Sequence, residues 1–124
     1  MPKDLQGFVQ LLEKHHPEHI YHVEREVDPE FGVTSIIAKL EKEKRFPVVI
    51  FHQIKGSTIP LIINMHADFR RLAMAIDLPH DTNIVKFTEE FSRREASPVK
   101  PVLIPSTEAP VHEVVMEGDD VDLF

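Results

Sequence analysis

The feature that most constrains the fold is the apolar stretch from Phe46 to Met65, which carries a reversal of the chain in its middle. Two compact apolar runs, Pro47 to Phe51 and Ile59 to Ile63, flank the flexible sequence Lys55 to Ser57. This pattern predicts a β-hairpin. Both runs are apolar at nearly every position instead of alternating with polar residues, so both faces of the hairpin should be covered. We therefore expect the hairpin at the centre of a small sheet.

The residues before the hairpin predict two helices and a strand. An apolar stripe predicts one helix from the N-cap Asp4 to about His15. A second apolar stripe follows Asp28 to Glu30, whose residue types suit the start of a helix, and predicts a second helix there. Between these helices, the sequence from His19 to Val27 predicts a strand. A strand, a helix and a strand in this order favour a right-handed parallel crossover into the hairpin. The sheet is therefore expected to be mixed.

Two further helices are predicted after the hairpin. Asp68 can cap a third helix whose apolar face excludes Arg70 and Arg71, and Asp81 or Thr82 can open a fourth. The predicted fold class is α+β, with a small mixed sheet built on a central hairpin and covered by about four helices. An extended proline-rich tail completes this expectation at the C-terminal end.

The composition changes after Ala96, because four prolines fall between Ser97 and Pro110. Prolines at this density preclude a regular helix and favour an extended linker. We expect residues 1–96 to form the α+β domain and residues 97–124 to form a linker and the start of a connection to a further domain. A short strand from His112 to Met116 is a possible element of that connection.

Length, charge and composition exclude several classes of protein. A chain of 124 residues with 42% hydrophobic and 28% charged residues suits one soluble domain. No apolar run approaches the roughly 20 residues of a membrane-spanning helix, so a cytoplasmic protein is expected. A net charge of -7 disfavours nucleic-acid partners, and the absence of cysteine excludes disulfides and thiolate sites.

Four histidines lie close together within the first quarter of the chain, which suggests metal ligation. Pro17 interrupts the first helix inside this group, so the helical i, i+4 arrangement of a zinc site is not available. We therefore favour a solvated turn between helix and strand over a metal site for the four histidines His15, His16, His19 and His22.

Three other groups of residues have the side chains of a binding or catalytic site. The pair Arg70 and Arg71 suits a phosphate or carboxylate, and a surface helix explains it equally well. Lys55 to Ser57 lacks the glycine spacing of a phosphate-binding loop, and no G-x-S-x-G nucleophile motif is present. The spacing of four acidic residues does not fit an EF-hand loop, so we favour a turn into the next domain over a hard-cation site for Glu117, Asp119, Asp120 and Asp122.

Several segments in a fixed order carry a family resemblance. An apolar strand, Lys55 and Gly56, and a second strand ending at Asn64 precede the helical run Arg70 to Ile76. This order resembles the N-terminal domain of UbiD-type decarboxylases. Further matches extend the resemblance over almost the whole chain: Asp4 to Phe8, Arg25 to Pro29, Ala109 to Val115 and Glu117 to Leu123.

The resemblance implies a reaction for the whole enzyme but not for this chain. UbiD-type enzymes add or remove carboxyl groups on unsaturated or aromatic acids with prenylated FMN, manganese and potassium. Their Glu-Arg-Glu set and metal ligands belong to a split-barrel domain that would follow Leu123. We therefore assign no catalytic, cofactor-binding or metal-binding residue to this chain and expect that it is not catalytic alone.

Three functions follow as expectations. The first is an N-terminal structural domain that packs against the flavin-binding and C-terminal domains of the same enzyme, with a homo-oligomer possible. The second is an accessory subunit that binds a separate catalytic chain through Pro98 to Phe124. The third is a small metal-binding protein that uses the histidines.

Overall fold

The computed structural model describes residues 4–109, 111 and 114–121. The chain divides into two compact units, Met1–Ser92 and Arg93–Phe124. Four α-helices and three strands lie in the described residues: α1 Leu5–His15, β1 Ile20–Val23, α2 Gly32–Lys42, β2 Val48–Phe51, β3 Leu61–Ile63, α3 Phe69–Ala75 and α4 Ile84–Glu95.

The sheet has the predicted mixed topology. Its strand order is β1-β2-β3, so the first strand of the hairpin lies in the middle. β1 pairs in parallel with β2, with Ile20 opposite Val48 and Val23 opposite Phe51. β2 pairs antiparallel with β3, with Phe51 opposite Leu61. The predicted α+β class, the hairpin and the parallel crossover are confirmed.

The central strand β2 separates two apolar clusters, because its side chains alternate between the two faces of the sheet. All four residues of β2 are buried. On one face, Val49 and Phe51 pack with residues of α2, including Val33 and Leu40. On the other face, Val48 and Ile50 pack with α1 through Val9 and Leu12. Helices on both sides explain why this strand is apolar throughout.

Two helix starts follow the predicted caps. Asp4 caps α1, where its carboxylate accepts a hydrogen bond of 2.6 Å from the backbone N–H of Gly7. Asp68 caps α3, where its carboxylate accepts a hydrogen bond of 2.8 Å from the N–H of Arg70. Both side chains satisfy a donor at a helix start that has no partner within the helix.

The boundaries of β1 and α2 differ from the prediction. β1 ends at Val23 instead of Val27, and His19 belongs to a short 3-10 helix, Pro17–His19. Val27 rejoins the sheet only through an isolated bridge to Ile54. α2 begins at Gly32 because the Asp28 carboxylate accepts a hydrogen bond of 3.0 Å from the N–H of Glu30 and holds a turn there.

The start of α4 also differs from the prediction. Neither Asp81 nor Thr82 caps this helix, which begins at Ile84. The side chain of Asn83 accepts a hydrogen bond of 3.0 Å from the backbone N–H of Lys86 and supplies the cap. Asparagine is as good a cap as aspartate, so the sequence offered several equivalent starts within three positions.

Residues 97–105 are exposed and contain no helix or strand. Short 3-10 helices follow at Ser106–Glu108 and Gly118–Asp120. The predicted strand from His112 to Met116 falls partly outside the described residues, and its described part, 114–116, is not a strand. No helix in the described part of the chain combines the length and the apolar character needed to cross a membrane.

Candidate functional site

Arg71 lies at the centre of the candidate site and is one of the largest fully buried side chains among the described residues, with 1% of its surface exposed. It lies on α3, one residue after Arg70, whose side chain is 51% exposed. The prediction that both arginines point away from the buried face of this helix is therefore wrong for Arg71. A buried guanidinium needs hydrogen-bond acceptors for its N–H groups, and the fold supplies them.

Three backbone carbonyls accept hydrogen bonds from the guanidinium of Arg71. Its Nε donates to the carbonyl of Met65 at 3.1 Å. Its Nη2 donates to the carbonyls of Phe46 at 2.7 Å and Asn64 at 2.8 Å. Asn64 adopts the left-handed backbone conformation, with φ of 65°, directly after β3. Arg71 therefore ties the segment entering β2 to the segment leaving β3.

The fourth partner of Arg71 is the buried side chain of His19. Arg71 Nη1 lies 3.1 Å from His19 Nδ1, and a guanidinium can only donate, so Nδ1 is the acceptor. A neutral His19 then carries its proton on Nε2, which lies 2.9 Å from His80 Nε2 and donates to it. Burial lowers the pKa of His19, the nearby Asp68 carboxylate opposes this shift, and the positive charges of Arg70 and Arg71 reinforce it.

Asp68 provides the negative charge beside this network. Its Oδ2 lies 3.9 Å from His19 Nδ1. Its two oxygens accept hydrogen bonds from Arg70, at 3.1 Å from Nε and 2.7 Å from Nη2. These bonds hold the pKa of Asp68 at about 2, although partial burial opposes the shift. Asp68 is therefore a carboxylate at neutral pH and helps to balance the charge of buried Arg71.

A cavity of about 220 Å³ adjoins this network. Basic Lys44, Arg45 and Arg70 line it together with the acidic Glu18 and Asp68. Arg71 also lines this cavity, but four of its five N–H groups already point at backbone carbonyls and His19. Arg71 therefore holds segments of the fold together, because most of its donors are used within the fold.

The four histidines that were predicted to cluster separate into different places. His15 lies at the exposed end of α1. His16 and His19 meet His80, whose ring stacks on that of His16 with the centroids 4.3 Å apart. His22 meets His52 instead, with 2.9 Å between His22 Nδ1 and His52 Nε2.

Two histidines were missed by the sequence reasoning, because they are distant from the predicted cluster along the chain. A signal for His52 was present, since it follows β2 directly and the predicted crossover places that strand beside β1. No comparable signal was available for His80. Among the described residues, two groups bring three potential ligand atoms within 4.8 Å of one another: His16, Glu18 and His80, and His22, Glu24 and His52.

The remaining sites considered in the sequence have modest structural roles. Lys55 Nζ donates a hydrogen bond of 3.1 Å to Asp28 Oδ2, which links the hairpin loop to the turn before α2. Glu117, Asp119 and Asp120 are exposed, and neither of the two potential metal groups in the described residues includes them. Asp122 lies outside the described residues.

Comparison with known proteins identifies the family. The family described as 3-octaprenyl-4-hydroxybenzoate carboxy-lyase N-terminal domain matches residues 10–91. Phenolic acid decarboxylase from Streptomyces sp. (strain D7) is 35% identical over 124 residues, which cover 98% of this chain and 25% of that protein. An uncharacterized protein from Synechocystis sp. is 26% identical over 141 residues, which cover 99% of this chain and 28% of that protein.

Solved structures of vanillic acid decarboxylase from Sedimentibacter hydroxybenzoicus share the fold. The closed form matches with a TM-score of 0.74 and 28% identity, over 100% of this chain and 26% of the matched chain. An open form matches with a TM-score of 0.75 and 29% identity, over 96% of this chain and 25% of the matched chain. The chain thus spans about a quarter of the length of these relatives. It belongs to the UbiD family, as a member of the carboxy-lyase N-terminal domains.

Proposed function

We propose that this chain is the structural N-terminal domain of a cytoplasmic UbiD-type carboxy-lyase that acts, as a whole enzyme, on unsaturated or aromatic carboxylic acids with prenylated FMN. The observation that carries the proposal is the match of nearly the whole chain to a quarter of longer decarboxylase chains. The task of the domain is to pack against the cofactor domain and to help enclose the substrate cleft. Residues 1–96 form the packing unit, and 97–124 connect it to the flavin-binding domain.

The chemistry of the candidate site supports a structural role. Asp68 caps a helix and binds Arg70, His19 donates to His80, and Arg71 binds backbone carbonyls. A general acid or base needs an accessible group within reach of the substrate proton. His19 and Arg71 are instead buried inside the domain.

The glycines of this chain do not form the kind of loop that binds the phosphate group of a flavin. Phosphate cradles are commonly built from glycine-rich loops whose backbone N–H groups converge on the ligand. The four glycines of this chain are isolated at positions 7, 32, 56 and 118. Gly56 lies at the hairpin reversal with a positive φ of 82°, which the turn itself requires. We therefore place prenylated FMN, with manganese and potassium, on the domain that follows.

A flavin titration tests the proposal. The purified 124-residue chain should neither bind prenylated FMN nor release carbon dioxide from an aromatic or acrylic acid. Binding is followed by flavin absorbance, and turnover by chromatography of the acid. A related full-length decarboxylase, loaded with the same cofactor, serves as the positive control. Stoichiometric flavin binding or turnover by the 124-residue chain would refute the structural assignment.

An accessory subunit is the second candidate function. The matched structures are described as ShVdcCD with a separately named component, ShVdcD, so that decarboxylase contains more than one component. A pull-down that uses this chain as the bait, with both of its ends free of tags, distinguishes the two functions. An accessory subunit retrieves a separate catalytic chain that carries flavin, whereas a domain of a longer enzyme does not. The reading frame after Phe124 gives an independent answer, because a continuous frame that encodes a flavin domain favours the first function.

A further inference from the structure

We propose that His22, Glu24 and His52 form a zinc-binding site on the surface of the sheet, with Glu13 as the residue that positions His22. This site does not depend on the proposed function. Three features carry the inference: the paired strands bring the two histidines to one face, the nitrogen and oxygen atoms of the three side chains converge, and the carboxylate of Glu13 lies beside the second ring nitrogen of His22.

The register of the parallel strands brings the ligands together. Ile20 and Ile50 both pack in the apolar cluster beneath α1, which fixes the face of the sheet they occupy. Side chains two positions apart share a face of a strand, so His22 lies on the face of Ile20. His52 is the first residue after β2, and its N–H still donates to the carbonyl of Val23 at 3.1 Å, which continues the ladder and places His52 on the face of Ile50. His22 pairs with Ile50 in the β1–β2 register, which leaves His52 diagonally adjacent. Glu24 follows His22 by a further two positions.

The distances between the ligand atoms suit a small cation. His22 Nδ1 lies 2.9 Å from His52 Nε2, and His52 Nε2 lies 3.5 Å from Glu24 Oε1. Two nitrogens bound to tetrahedral zinc at about 2.0–2.1 Å are separated by about 3.4 Å. The side chains of His22 and His52 are 39% and 38% exposed, so small rotations can open the pair by the required half ångström or so.

Glu13 completes the arrangement from α1. Its Oε1 lies 3.6 Å from His22 Nε2, the ring nitrogen that faces away from His52. A carboxylate in this place favours the proton on Nε2 of His22, so Nδ1 keeps its lone pair. In the metal-free chain this lone pair accepts a hydrogen bond from His52 Nε2, and zinc replaces that proton when it binds between the two nitrogens. Metal-ligating histidines generally donate their second N–H to such a partner, which fixes the tautomer and the ring orientation. Glu13 is therefore a positioning residue and not a ligand.

The ligand types select zinc over harder cations. Magnesium and calcium prefer sites made entirely of oxygen atoms, whereas imidazole nitrogens suit zinc and its neighbours. Two histidines and one glutamate are an established zinc ligand set that leaves the fourth position for water. The second histidine group is less suitable, because the 2.9 Å hydrogen bond that His80 Nε2 accepts from His19 is partly buried, whereas the 2.9 Å bond between His22 and His52 is exposed and is replaced more easily. A metal at that nitrogen would break a partly buried hydrogen bond.

Isothermal titration with zinc chloride tests the site on the full chain without an affinity tag, after removal of metal with EDTA. One zinc ion should bind to the wild-type chain. His22→Gln and His52→Gln should each weaken binding by about tenfold or more. Glu13→Gln should weaken binding by about tenfold, the lower end of the range for a carboxylate behind a metal-bound histidine. His15→Gln is the matched control and should leave the affinity unchanged, since His15 belongs to neither group.

A second measurement needs no variant and therefore does not depend on folding of mutants. In the wild-type chain, the ring resonances of His22 and His52 should shift with one equivalent of zinc, and those of His16 and His80 should not. The inference is overturned if no zinc binds, if zinc binding survives in the His22→Gln His52→Gln double variant, or if zinc shifts the resonances of His16 and His80 instead.

Discussion

Replacement of Arg71 by alanine gives the sharpest test of the role of this side chain in the stability of the fold. The change removes the N–H groups that donate hydrogen bonds to three backbone carbonyls and to His19. These acceptors lie where α3 meets the sheet. Buried acceptors left without a partner cost about 1–3 kcal/mol each, but the losses are not additive because water enters the space. Breaking a buried charged network costs about 3–5 kcal/mol in total. We expect a loss of this size in the free energy of unfolding.

The neighbouring residue supplies the matched control. Arg70→Ala removes the same charge from the same helix, but its side chain is 51% exposed and its partner is Asp68. Surface ion pairs of this kind contribute about 0–1 kcal/mol. Arg71→Lys should recover only part of the loss, because an ammonium group cannot reproduce the planar fork of donors.

Urea unfolding followed by far-ultraviolet circular dichroism measures these differences as shifts in the transition midpoint. A domain of this size has a total stability of about 5–15 kcal/mol, so the Arg71→Ala chain should unfold at a much lower urea concentration or be partly unfolded without urea. The reasoning fails if Arg71→Ala and Arg70→Ala lose the same stability, since burial of the guanidinium would then contribute nothing.

Two further predictions concern stability. The pKa of Asp68 is about 2 in the folded chain, below its ordinary value of 3.8, so Asp68 stabilises the fold above about pH 4, and this contribution is lost as the pH falls toward 2. Asp68→Asn should therefore lower the free energy of unfolding, measured with urea, by about 1–2 kcal/mol at pH 7 and by almost nothing near pH 2. Equal losses at both pH values would contradict this prediction. Leu12 is fully buried, so Leu12→Ala should lower the free energy of unfolding by about 2–5 kcal/mol. Leu5 is 55% exposed, so Leu5→Ala should lower it far less. Comparable urea midpoints for the two variants would argue against the packing of α1 on the sheet.

Local sequence patterns predicted most of the fold correctly. The apolar run at Val48–Phe51 is buried at each of its positions, as expected for a central strand. The caps at Asp4 and Asp68 were recognisable because a helix start needs an acceptor for its free N–H groups, and aspartate is suited to that position. The fourth helix start was misplaced because several capping residues compete within a few positions.

The sequence reasoning failed where the outcome depends on distant residues. Arg71 is charged, and charged residues usually lie on the surface. Its burial requires the carbonyls of Phe46, Asn64 and Met65, which become neighbours only when the hairpin and α3 are assembled. The four clustered histidines looked like one group, but the turn at Pro17–His19 directs them toward different partners.

The sequence by itself determined the elements and their order, because helix caps, apolar spacing and turn residues act over a few positions and are readable without the fold. It also determined the family resemblance, which depends on the order of those elements. The tertiary structure decided which polar groups meet. His52 approaches His22, and Arg71 enters the interior, because strand register and helix packing bring together atoms that are separated by tens of residues in the chain.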